Sequence, residues 1–395
     1  MSAAYVVDVA RTPFARGKAG GALAGVHPVS LLAGCLRSLV DRVGLDPAEI
    51  DDAYVGCVSQ VGEQSLNVGR AAVLAAGLPE QLPATTIDRQ CGSSMQALAF
   101  AVHAIGAGAA DVVLVGGVES MSRVPLWSST LGADPYGPEV ARRHPGGLIE
   151  QGIAAELTAV RWGIERAELD AYARESHSRA RRAWDDGVLD AQVTPLEASD
   201  GTRVARDETV RAAAELERLD ELRPAFRNEE AQARFPQIDW RVTAGSSSPL
   251  TDGAAAALIV SERALRSLGL TPLARVHATA VAAEHPIDRM LMAVVPATLR
   301  VLERAGLSLE EIDAFEVNEA FACVPLAWQR ELGVDAERLN PLGGAIAYGH
   351  PLGASGVRLL GSAIAALRQR DGRYGLQVIC EAGGMANATI IERMS

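Results

Sequence analysis

Gly44-Leu45-Asp46-Pro47-Ala48-Glu49-Ile50-Asp51 returns later in the chain as Gly306-Leu307-Ser308-Leu309-Glu310-Glu311-Ile312-Asp313, at an offset of 262 residues from Gly44 to Gly306 and from Ile50 to Ile312. Each copy follows a helical pattern, Leu31 to Val43 and Ala297 to Ala305, and precedes a short strand pattern, Ala53 to Gly56 and Ala314 to Val317. Further on, Cys91 opens an apolar helix (Met95 to Gly106) and His350 precedes another (Val357 to Leu367). Both run into apolar strands ending in glycine pairs, Val112 to Gly117 and Leu376 to Gly384. Alternating strands and helices predict α/β layers. A period this long is not that of a solenoid, so the repeat reads as two related α/β halves, with layered helices and mixed sheets.

Between the halves the texture changes. Residues 122–249 are richer in charge, Pro and Gly, with an amphipathic helix over Arg166 to Asp186 and an Arg/Glu-rich stretch from Arg203 to Arg241. Over a hundred residues is long for a surface excursion, so this part reads as an insertion over the site that binds part of a ligand. The expected division is 1–121, completed by 250–271, then the inserted loop domain 122–249, then 272–395.

Composition narrows the function. A net charge of −12 argues against nucleic acid as a partner. No apolar run reaches the about 18 residues that span a bilayer. The first residues read at once as a strand, Ala3 to Val9, with no signal peptide, so a cytoplasmic protein is expected. Lys18 is the single lysine and is followed by Ala19, which excludes a P-loop and leaves arginine, backbone N–H groups or a helix start to hold any phosphate. The five cysteines form no C-x-x-C pair, so reduced thiols are expected rather than a disulfide framework or zinc site.

Three residues set in glycine turns carry the chemistry: Cys91 in Gln90 to Ser94, His350 in Gly349 to Gly356, and Cys380 in Cys380 to Gly384. A thiol at a helix start feels the positive end of the dipole, which predicts a lowered pKa for Cys91. An imidazole at a proline-stiffened corner suits a base, and a second thiol can take and return a proton. Asn318-Glu319-Ala320-Phe321 adds a side chain that can polarise a carbonyl or hold a water; as an alternative, Asn318 caps the next helix. Taken singly, each cysteine could also be a small core residue and His350 a loop histidine.

Taken together, Cys91-Gly92-Ser93-Ser94, Asn318-Glu319-Ala320-Phe321, Gly349 to Gly356 and Cys380 to Gly384 stand in the order and spacing of the thiolases, the acetyl-CoA acyltransferases, which the chain resembles over nearly its whole length. Val9 to Phe14 is similar to that family's opening strand and turn, Gly116 to Ser122 to its G-G-x-E-x-M-S segment, and Thr243 to Ala255 to the segment closing its loop domain. The resemblance implies that Cys91 carries the acyl group, His350 removes its proton, and Cys380 exchanges the Cα proton of the second acyl-CoA. It implies one oxyanion pocket from His350 and a water on Asn318, and another from the backbone N–H groups of Cys91 and Ala382. It further places Ser248 near the pantetheine arm, Arg211 near the nucleotide phosphates and Met290 in the acyl pocket. Coenzyme A is then a substrate, with no permanent cofactor and no metal, and a homodimer or homotetramer is expected.

The chain departs from the family pattern at Ala382, where glycine is usual, and at Ser246, where asparagine is common. Arg227 to Trp240 forms a stretch that many members lack, and Leu291-Met292-Ala293-Val294 replaces the usual G-x-G-P. These changes leave the shape of the acyl group open. Two alternatives stand beside a thiolase: a ketosynthase, which would pair its cysteine with two histidines, and an inactive CoA-binding relative.

Overall fold

The computed structural model of the chain describes residues 2–394. The first half runs β1 (Ala4–Arg11), α1 (Pro28–Val43), β2 (Asp52–Gly56), β3 (Ala84–Ile87), α2 (Ser93–Gly106) and β4 (Val112–Ser120). The inserted segment carries α3 (Gln151–Arg161) and α4 (Arg166–Asp185), after which β5 (Thr251–Ser261) rejoins the first half. The second half runs β6 (Ala274–Ala283), α5 (Val294–Ala305), β7 (Ala314–Val317), α6 (Ser355–Arg370), β8 (Tyr374–Glu381) and β9 (Met385–Arg393).

Strand order repeats between the halves. The first reads β3-β2-β4-β5-β1 from its outer edge, and the second β7-β8-β9-β6. The position of β3 is reduced in the second half to a single parallel bridge, Phe315 to Leu339. The two half-sheets join edge to edge through antiparallel β1 and β6, Ala4 opposite Val276 and Val6 opposite Ala274. The expected α/β halves are therefore present, linked as one ten-stranded sheet that includes the two-residue strand Ala15–Arg16.

The repeated octapeptide has the same work in both places. Gly44 (φ +66°) and Gly306 (φ +67°) end α1 and α5 in the left-handed conformation that only glycine takes freely. A 3₁₀ turn follows each, and Ile50 and Ile312 bury their side chains. Asp51 Oδ2 then accepts from the backbone N–H groups of Asp111 and Val112, at the start of β4. Asp313 Oδ2 does the same for Arg373 and Tyr374 at the start of β8. The repeat is preserved because it ends a helix, turns the chain and secures the central strand of each half.

Between the half-sheets lie α2 and α6, while α1 covers the outside of the first and α5 the outside of the second. Helix α6 is buried continuously from Ser355 to Leu367 and is apolar or small on all faces but one, where it carries the buried Arg358. The N-terminal turns of α2 and α6 touch: Val357 N donates to Ser94 Oγ at 3.2 Å, and Gly356 lies against the Met95 backbone with no room for a Cβ. Gly117 of β4 meets the backbone of Gly353 in the same way. Glu119 binds this junction together, accepting from the N–H groups of Val58, Ser59 and Gly353 and from Gln64 Nε2.

Candidate active site

Cys91 sits on the elbow between β3 and α2. Gln90 before it has φ +48°, a left-handed conformation that costs a non-glycine residue energy and recurs at functional turns. Asp88 Oδ1 accepts from Gln90 N at 2.6 Å, and Ser93 Oγ accepts from Arg89 N at 2.9 Å while donating to Gln90 O at 2.6 Å. Gly92 is required at the helix cap because the Glu381 carboxyl occupies the space its Cβ would need. The thiol therefore stands at a helix start, as expected, but its ionisation is the reverse of expectation. Burial, reinforced by the Glu381 charge, pushes the Cys91 thiol up to about 12, with Gln151 and the residue's own N–H opposing. Desolvation of a fully buried sulfur outweighs the helix dipole. Cys91 rests as a neutral thiol.

The tautomer of His350 follows from its partners. Ser355 Oγ spends its one proton on Pro351 O at 2.9 Å, so it accepts from His350 Nδ1–H at 2.6 Å. Nε2 is left bare, with Asn318 Nδ2 approaching as donor at 3.4 Å. Arg358 Nη2 donates to Asn318 Oδ1 at 3.2 Å and fixes the amide orientation. Burial, followed by the Arg358 charge, lowers His350 to about 3, so the imidazole is neutral at rest. Arg358 is itself buried, 3.6 Å from Glu316, whose carboxyl is raised to about 8 by burial against the opposing pull of Arg358. Asn318 caps no helix: the next one starts at Cys323 with Ala322 as its cap, which removes the capping alternative.

Cys380 lies near the end of β8, fully buried. Burial raises its thiol well above the ordinary range, and the nearby Cys91, Cys323 and Glu381 raise it further. Burial likewise raises Glu381 to about 8. Asn387 lies against it: in the orientation that satisfies both amide atoms, Asn387 Nδ2 donates to Glu381 Oε1 at 3.1 Å and Asn387 Oδ1 accepts from Gln96 N at 3.3 Å. Burial outweighs this hydrogen bond, so Glu381 keeps its proton near neutral pH. The next residue, Ala382, has a negative φ; the left-handed positions of the turn are Gly383 (φ +80°) and Gly384 (φ +83°). Alanine is thus accommodated where glycine was expected. Among the described residues, no backbone carbonyl takes the N–H of Cys91 or of Ala382.

Two cavities flank these groups. One, of about 430 Å³, is lined by Cys91, Gln151, Met290 and Ala382, with Trp127 and Tyr136 at its side. Met290 therefore faces the same space as the Cys91 thiol. The other, also about 430 Å³, brings Arg211 together with Arg16, Lys18 and Glu215. Ser248 precedes Pro249 and Leu250 on the wall of this second cavity, and its N–H donates to Ala320 O beside the Asn318 motif at 3.0 Å.

Comparison with known proteins decides the family. Residues 4–263 match the family description "Thiolase, N-terminal domain", and residues 270–393 match "Thiolase, C-terminal domain". The chain belongs to the thiolase family. It is 42% identical to the steroid 3-ketoacyl-CoA thiolase of Mycobacterium tuberculosis over 403 residues, covering all of this chain and 95% of that one. It is 41% identical to a β-ketoadipyl-CoA thiolase of Escherichia coli over 416 residues, with both chains fully covered. Crystal structures of human mitochondrial 3-ketoacyl-CoA thiolase, one of them in complex with CoA, superpose with a TM-score of 0.88 at 34% identity, over all of this chain and 99% and 98% of those chains. This thiolase is an acyltransferase.

Several groups of the thiolase escaped the sequence reading. Ser355, which sets the His350 tautomer, stands inside the Gly349 to Gly356 turn but was given no role there, and Arg358, which orients Asn318, lies just beyond it on α6, its one signal a charged residue in an otherwise apolar helix pattern. Lys18, set aside because no P-loop surrounds it, lies beside Arg211. Glu319 anchors the inserted segment, accepting from Tyr172 Oη at 3.0 Å and Ser176 Oγ at 2.7 Å on α4. Arg11, from the opening motif of the thiolase, holds Asp207 of that segment through two bonds at 2.7 and 2.8 Å.

Proposed function

We propose that this thiolase cleaves 3-ketoacyl-CoA esters whose acyl group is bulkier than acetyl, with coenzyme A as the second substrate. The observation that carries the reading is the cavity of about 430 Å³ that has the Cys91 thiol and Ala382 in its wall. That volume lies in the range of sites that enclose whole organic ligands, far beyond a two-carbon acyl group.

In thiolysis, the Cys91 sulfur attacks the C3 carbonyl as its proton passes to the bare Nε2 of His350. Because both groups rest neutral, the proton moves with the attack and no ion pair is formed beforehand. The N–H groups of Cys91 and Ala382 receive the alkoxide; losing one such donor costs about 10²–10³ in rate. The C2–C3 bond then breaks, and the enolate of acetyl-CoA forms against His350, now a donor, and a water held by Asn318. Cys380 delivers a proton to C2. The CoA thiol passes its proton to the Cys380 thiolate and attacks the acyl-Cys91 thioester; the carbon–sulfur bond to Cys91 breaks, its sulfur takes back the proton held by His350, and the shortened acyl-CoA is released. Read backwards, the steps are a Claisen condensation in which Cys380 abstracts the Cα proton.

Arg211, Arg16 and Lys18 supply the charge for the nucleotide phosphates, with Ser248 between that cluster and the catalytic motif. In the domain division 1–121 with 250–271, 122–249 and 272–395, the inserted part contributes Arg211 and Ser248 to CoA binding and the first half contributes Arg16 and Lys18. A homo-oligomer is supported by the open outer edge of β3 and by Leu66 beside it, 97% exposed. A cytoplasmic setting is in keeping with the finding that, among the described residues, no helix is long and apolar enough to cross a membrane.

The deciding experiment is a thiolysis profile across acyl lengths and shapes with purified protein. Turnover that rises from acetoacetyl-CoA to longer or ring-bearing 3-ketoacyl-CoA is expected. A preference for acetoacetyl-CoA would refute the substrate reading, and CoA binding without turnover on any ester would favour the inactive relative. In Cys91→Ala, covalent acyl group should be absent by peptide mass analysis; acylation of that variant would refute the nucleophile.

A further inference from the structure

Gln151 is the first residue of α3, in the inserted segment, and its amide faces the Cys91 sulfur across the wall of the acyl cavity. The Nε2 atom is fully buried and has no acceptor among the described residues. A buried N–H left without a partner costs about 1–3 kcal/mol, and a native structure keeps few of them without a use. A neutral thiol is a feeble acceptor, whereas a charged sulfur is a strong one. The bond is therefore nearly absent at rest and strong once the sulfur is charged, which is the kind of interaction that accelerates a reaction.

Packing holds the amide in place. Gly152 lies under the ring of Phe226 with no room for a Cβ, and that ring stacks edge-on at 5.7 Å on Phe321 of the Asn318 motif. Glu156 of α3 accepts from the N–H groups of Arg241 and Val242 at 2.8 and 2.9 Å. The stretch from Arg227 to Trp240 closes over the same helix, burying Ala231, Ile238 and Trp240 against Ile153 and Leu157. The extra segment is thus a brace for the helix that carries Gln151.

We infer that Gln151 is a catalytic residue of this site, its side-chain N–H donating to the sulfur of Cys91 whenever that sulfur bears negative charge, as attack begins and as the acyl group leaves. The inference rests on the reading of Cys91 as nucleophile. It is tested by alkylation of Cys91 with iodoacetamide from neutral to alkaline pH, followed by peptide mass analysis, in the wild-type protein, Gln151→Met and Gln151→Asn. A hydrogen bond to a charged group shifts the thiol by about one to two pH units. Part of this is offset by the greater nucleophilicity of a more basic thiolate, so alkylation slows by roughly three- to tenfold. Both variants should show that slowing, since Met removes the donor and Asn withdraws it by one methylene. Wild-type rates in both variants would overturn the inference. So would a slow Met variant with an unaffected Asn variant, which would make cavity polarity the cause, or a slow Asn variant with an unaffected Met variant. A melting curve confirms that each variant is folded, and Asn, the milder change, carries the test if Met is not. Acetyl transfer from acetyl-CoA to wild-type Cys91 is measured alongside; its absence would overturn the nucleophile reading and leave the alkylation comparison intact.

Discussion

Replacing Glu381 by glutamine should change how the stability of the thiolase depends on pH. The carboxyl is buried beside Gly92 and Cys380, and its Oε1 accepts from Asn387 Nδ2 at 3.1 Å. Its value is raised from 4.5 to about 8, with burial as the main cause and the Asp88 charge adding to it against Arg89. A carboxyl that keeps its proton in the fold and loses it on unfolding gives full stability below the unfolded value, and loses that contribution as pH climbs through the folded value. At about 1.36 kcal/mol per pH unit, the wild type forfeits about 5 kcal/mol between pH 4 and pH 9, about 3 kcal/mol of it by pH 7. A glutamine in its place cannot titrate, and its amide oxygen accepts from Asn387 Nδ2 as the carboxyl did. Glu381→Gln should therefore match the wild type near pH 4 and exceed it increasingly toward pH 9, in denaturant unfolding at fixed protein concentration. Parallel stability curves for the two proteins from pH 5 to pH 9 would refute the neutral, buried carboxyl. Glu316, also raised to about 8, remains in both proteins and cancels in the comparison.

Ser355→Ala removes the acceptor that fixes the proton on His350 Nδ1, so kcat for thiolysis should fall about 10- to 100-fold, part of the usual yield of general base catalysis; an unchanged kcat would show that the tautomer is set elsewhere. Cys380→Ser should still acquire an acetyl group on Cys91 from acetyl-CoA while condensation disappears, and loss of both steps together would contradict separate roles for the two thiols. Arg211→Ala should raise KM for CoA a few-fold with little change in kcat, as expected of a partly exposed charge pair, and the effect should shrink in high salt.

Much of this arrangement was legible in the order of residues. Turn-forming glycines announced Cys91, His350 and Cys380, because a reactive side chain at a backbone corner needs neighbours without side chains. The duplicated octapeptide announced two halves, because each of its residues answers to local geometry. What stayed hidden depends on distant contacts. Ser355 and Arg358 matter through His350 and Asn318, and a helix pattern cannot say which of its faces meets them. The ionisation of Cys91 was misjudged for the same reason: the dipole belongs to the local sequence, while the burial that overrides it comes from both halves and the insertion. Gln151 shares no motif with Cys91, and only the docking of α3 brings the two together.

The touching first turns of α2 and α6 have a consequence beyond packing. Each helix end presents about half a positive charge, carried by backbone groups that cannot move away or be titrated. Two such ends at one point form a fixed electropositive centre that asks nothing of side-chain chemistry. A negative oxygen is welcome on either flank of it, whether it grows on a thioester in one step or on an enolate in the next. One immobile scaffold would thus favour two successive anions, adding its field to the hydrogen bonds proposed for each.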